Sequence, residues 1–78
     1  MKTVLLVRAD SDPAARAWTA DSDDVPGLST EAETVESLMS KLEVMISELL
    51  ELNGWPDQGE VPFEILIRRF EMARRQAG

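Results

Sequence analysis

Cysteine and histidine are both absent from these 78 residues. That excludes disulfides and any metal site built on thiolate or imidazole ligands. A hydrolase or nuclease would have to work with carboxylates, hydroxyls, Lys2 or Lys41 alone. The four glycines stand isolated at 27, 54, 59 and 78, so there is no phosphate-cradling loop. Long apolar runs are missing too. Val4-Leu5-Leu6-Val7 is broken at once by Arg8 and Asp10, far short of the ~20 residues of a membrane span and too short for a signal-peptide core. The expectation is a soluble, unprocessed, cytoplasmic protein without a membrane partner. It is expected to need no cofactor and not to be an enzyme.

Positive charge is also scarce. The net charge of −7 repels phosphate backbones over the surface as a whole, which argues against direct nucleic-acid binding and suits a basic protein partner. At this length the chain is one domain, 1–78, whose core alone supplies only ~3–5 kcal/mol, so association is an expected source of further stability.

Lys2 to Arg8 reads as a first strand, with Val4 and Leu6 on one face and Leu5 and Val7 on the other. Pro13 and its Asp and Ser neighbours form a loop, and Arg16 to Asp21 returns as a second strand with Trp18 and Ala20 on one side. Val25-Pro26-Gly27-Leu28 fits a type II turn, proline fixing φ at the second position and glycine supplying φ > 0 at the third. Leu28 to Ala32 is a short third strand. Thr34 is the expected N-cap of a helix over Val35 to Leu52, whose stripe comprises Leu38, Met39, Leu42, Met45, Ile46, Leu49, Leu50 and Leu52; Val44 alone falls on the polar face. Asn53-Gly54 ends it. After the Trp55–Glu60 loop the spacing fits a helix through Phe63, Leu66, Ile67 and Phe70, or a strand through Val61, Phe63, Ile65 and Ile67; β-branched and aromatic content favours a strand from about Pro62 to Met72.

Trp18-Thr19-Ala20, Asp24-Val25-Pro26-Gly27-Leu28 and Thr30-Glu31-Ala32-Glu33-Thr34, in that order, resemble the N-terminal domain of HicB-type antitoxins, and most closely the short HicB-like proteins filed as a domain of unknown function. The likeness runs from about Leu5 to Met72. It implies an α+β fold of order β-β-β-α-β, a small antiparallel sheet with one helix on one face, partly like a double-stranded-RNA-binding domain. It also implies a role in blocking a small basic RNA-cleaving toxin of the HicA type, and it places the last strand where composition does. Full-length HicB antitoxins carry a separate DNA-binding domain after this part; the chain stops at Gly78 without one, which puts operator binding in doubt.

Asp21, Asp23 and Asp24 form the obvious polar cluster. As a calcium loop it fails, because position 5 would be Val25 and position 12 Ala32; a weak magnesium site is the remaining metal option, against an acidic patch offered to a cationic partner. The partner surface is therefore read as Trp18, Asp21, Asp23, Asp24, Val25 and Leu28, although the favoured reading of Trp18 is a core residue facing the helix. Arg68, Arg69, Arg74 and Arg75 gather at the C-terminal end. The first strand offers at most seven residues of pairing and the last eleven, so the last strand should overhang its own sheet and pair with a second copy. Ile65, Ile67, Arg68, Arg69 and Phe70 would then lie in the interface of a homodimer or higher even oligomer, with Arg68 or Arg69 near Glu64 or Glu71 of the other copy. The alternatives to an antitoxin are a homo-oligomeric structural or regulatory domain and a β-ribbon that binds DNA.

Overall fold

Leu5, Val7 and Ala9 are buried while Arg8 is exposed and Leu6 and Asp10 are half-buried, the period-two pattern of a strand with one face on the core. This strand, β1 (Leu5–Asp12), belongs to a computed structural model that describes residues 4–55 and 59–76. It is followed by β2 (Ala17–Asp21), β3 (Ser29–Ala32), α1 (Val35–Leu52) and β4 (Phe63–Arg68), so the expected element order is observed. The sheet order is β3-β2-β1-β4. The β1–β2 and β2–β3 pairs are antiparallel, but β4 lies parallel to β1, which makes the sheet mixed rather than wholly antiparallel. Helix α1 is the reason: it carries the chain from one sheet edge to the other, so β4 enters beside β1 in the same direction, as a helical crossover allows.

Strand boundaries differ from expectation at β1 and β2, at the start of β3, which is Ser29 rather than Leu28, and at the end of β4, which is Arg68 rather than Met72. β1 continues to Asp12 because Asp10, Ser11 and Asp12 pair with Thr19, Trp18 and Ala17, while Lys2 and Thr3 lie outside the described residues. β2 begins at Ala17 because Arg16 sits in the left-handed region at φ 53° and closes the hairpin turn.

The 25–28 turn forms as read, with Gly27 at φ 87° and the Leu28 N–H donating to the Val25 carbonyl at 3.1 Å. A Cβ on Gly27 would sit 3.5 Å from Leu49 Cδ2, so the turn rests on the end of the helix. Thr34 caps α1: its Oγ1 accepts from the Ser37 N–H at 3.0 Å. Thr34→Ala should therefore cost about 1 kcal/mol, read from the shift in urea midpoint, and Thr34→Ser should restore most of it. A Thr34→Ala midpoint equal to wild type would remove the cap from the account. At the other end Trp55 N–H donates to the Leu50 carbonyl and Gly54 N–H, at φ 73°, to that of Glu51, the paired bonds of a Schellman stop.

Leu38, Leu42, Ile46 and Leu50 form the buried stripe of α1. Leu52, read as part of that stripe, is 81% exposed because it lies two residues beyond Leu50 and so on the far side of the helix; Val44 is exposed as expected. Among the described residues no polar or charged side chain is buried. The helix lies over β3 and β2 and makes no comparable approach to β4. Phe63 and Ile65 on the helix side of β4 are consequently only half-buried, and Ile67 is 44% exposed.

Candidate interaction surface

The acidic turn begins where β2 stops pairing with β1. Even-numbered β1 residues direct their backbone groups toward β2, and at Leu6 two side chains from the turn take the place of the missing strand. The Leu6 N–H donates to Asp24 Oδ2 at 2.8 Å, Ser22 Oγ donates to the Leu6 carbonyl at 2.5 Å, and the same hydroxyl accepts from the Asp24 N–H at 3.0 Å. Asp24 and Ser22 thus splint the strand end. Asp21 and Asp23 point outward and share one guanidinium: Arg8 Nε donates to Asp21 Oδ1 at 3.1 Å, and Nη1 to Asp23 Oδ2 at 3.0 Å. The Asp23 bond foremost, and the Asp21 bond after it, raises the Arg8 pKa above an arginine's ordinary value. Two exposed carboxylates against one cation leave the turn net negative. Among the described residues no group of three acidic side chains is placed to hold a metal ion.

Of the residues read as partner surface, Asp21 and Asp23 are exposed and Asp24 is half-buried behind them. Trp18 is half-buried on the helix side, opposite Ala32 and packed on the core. Val25 and Leu28 are fully interior, because the Pro-Gly turn folds both side chains inward under α1; they present nothing to a partner. Arg8 and Ser22 complete the turn and escaped the sequence reading, since their partners lie 13 to 16 residues away with no local spacing to betray them.

The open face of the sheet is polar. Asp10, Asp21, Glu31 and Glu64 share it with Arg8, Arg68 and the half-exposed Leu66, and Arg68 Nε donates to Asp10 Oδ1 at 2.9 Å. Arg68 is thus paired within its own chain, as is Arg69, which bonds Glu71. The expected strand overhang is also revised: β4 has six residues, all paired with β1, and residues 69–76 leave the sheet as an exposed arm.

On the helix side an open groove of about 900 Å³ runs between α1 and the start of β4. Ile46, Leu50, Trp55, Val61 and Phe63 form its apolar lining, and Glu43, Glu51 and Glu60 its rim. The Trp55 indole N–H is buried there with no acceptor among the described residues. No helix among the described residues is long and apolar enough to cross a membrane.

Known proteins place this arrangement in a family. A crystal structure of a hypothetical protein from the extremely thermophilic bacterium Thermus thermophilus is 46% identical to the chain, with a TM-score of 0.68 over 92% of this chain and 99% of that one. No curated protein matches. Residues 4–77 match the domain of unknown function DUF1902. The match spans nearly the whole described fold, and the chain belongs to the DUF1902 family.

Proposed function

We propose that the protein is a binding module of the HicB-like antitoxin kind, which holds a small basic ribonuclease toxin by covering its RNA-binding face. The observation that carries this reading is the turn at Asp21 and Asp23, where side chains 61% and 84% exposed share a single arginine beside an acidic open sheet face. Such a surface repels nucleic acid and attracts a protein built to bind it. The chain's resemblance to HicB antitoxins around Trp18 to Thr34 supplies the partner class. Fold alone does not decide function, and the reading rests on the site.

Co-expression tests the proposal. A small basic protein encoded beside this one that arrests growth alone should cease to do so when the two are made together; unchanged arrest would exclude the pairing. Asp21→Lys with Asp23→Lys should then slow association most at low salt, because steering between exposed charges is screened over ~10 Å at 0.1 M. An unchanged on-rate would move the interface away from the turn.

A further inference from the structure

We propose that the acidic groove between α1 and β4 is the seat of the C-terminal arm of a second copy of this chain, so that two protomers join edge to edge at β4 and exchange arms. This inference concerns self-association and stands whether or not a toxin is the partner.

The two sheet edges differ. β3 is only four residues long, and Lys41 Nζ donates to its Glu31 carbonyl at 2.6 Å; a short strand with a lysine over its edge is a protected one. β4 has no such cover among the described residues and carries Leu66 at 49% and Ile67 at 44% exposure. A twofold axis perpendicular to the sheet at Leu66 would pair the β4 strands antiparallel and keep like faces together. Leu66 would meet its own copy on the open face, and Ile65 would meet Ile67 of the second copy on the helix side.

That pairing decides where the arms go. In its own chain the arm leaves β4 after Arg68, while the groove is walled by Val61 and Phe63 at the other end, about 17 Å back along the strand. No glycine or proline lies between Arg68 and Arg75 to turn the arm around. Antiparallel pairing instead sets residue 69 of the second copy beside Phe63, at the mouth of the groove. Eight extended residues, 69–76, reach about 26 Å, ample for the ~12 Å of helix between Glu43 and Glu51.

Chemistry matches as well. Continued from Arg68 on the open face, the extended arm keeps Phe70 and Met72 on that face and turns Arg69, Glu71, Ala73 and Arg75 to the helix side, where the groove lies. Phe70 is 71% and Met72 80% exposed. The match to the groove is one of charge: its Glu43, Glu51 and Glu60 rim answers an arm that holds Arg69, Arg74 and Arg75 against Glu71 alone. The shape of the single chain agrees. Its radius of gyration is 15.6 Å, against about 11.5 Å for a compact chain of this length. It exposes 6238 Å², against roughly 4,700 Å² for a compact 8.7 kDa monomer. The excess exceeds the ~800 Å² per partner of a standard interface.

The experiment is sedimentation of the full chain and two charge-reversed variants, separately and mixed. Wild type should sediment at twice 8.7 kDa at micromolar concentration. Glu43→Arg with Glu51→Arg in the groove, and Arg74→Glu with Arg75→Glu in the arm, alter exposed side chains and should each raise the dimer Kd about tenfold or more. An equimolar mixture should return to near wild-type affinity. In the mixed dimer the reversed groove receives the reversed arm, and the unaltered groove receives the unaltered arm. A wild type still monomeric at concentrations on the order of 100 µM, variants that dimerise as wild type does, or a mixture no tighter than its components would each overturn the proposal; the last result means that the arm does not cross between copies.

Discussion

Leu42→Ala should lower the unfolding free energy by about 2–5 kcal/mol, a large share of what so small a domain possesses. Leu42 is fully buried in the middle of the α1 stripe, in one cluster with Leu5, Val7, Val25 and Leu38. How far the half-buried Met45 and Leu49, packed against the same cluster, close over the space sets the place within that range. Val44→Ser, two residues along but on the solvent face at 58% exposure, should move stability by about 0.5 kcal/mol or less. Urea unfolding at one fixed protein concentration measures both, because association would otherwise add a concentration-dependent contribution. Equal losses from the two substitutions would mean that Val44 is covered by something the single chain does not contain.

How much of this could be seen in the sequence depends on the range over which each signal acts. The helix bounds, the Thr34 cap and the Pro26-Gly27 turn were legible because each is decided within a few residues: by a 3.6-residue stripe, by a hydroxyl one position before it, and by two backbone preferences. The direction of β4 was not, since a strand's own alternation is the same whether its neighbour runs with it or against it. The length of β1 was misjudged for a related reason. Asp10, Ser11 and Asp12 have poor strand propensity, and pairing with β2 overrides it. In the acidic turn the aspartates could be found but not told apart. Their different roles come from Arg8, Ser22 and the Leu6 backbone, which only the fold brings near.

That difference among the aspartates carries the second large effect. Asp24→Ala should cost about 1–3 kcal/mol, because it strips the acceptor from the part-buried Leu6 N–H at a point where no strand is left to replace it. Asp24→Asn keeps a side-chain oxygen at the same reach and should recover much of the loss, which separates the hydrogen bond from the charge. Asp21→Ala and Asp23→Ala remove exposed partners of Arg8 and should each cost at most about 1 kcal/mol. Midpoints of urea unfolding would rank the four variants, and an Asp24→Ala protein as stable as Asp23→Ala would refute the splint. The ranking also bears on recognition. Asp21 and Asp23 can be reversed in charge to probe a cationic partner with the fold intact, whereas a binding loss on changing Asp24 reports first that the end of β1 has come loose.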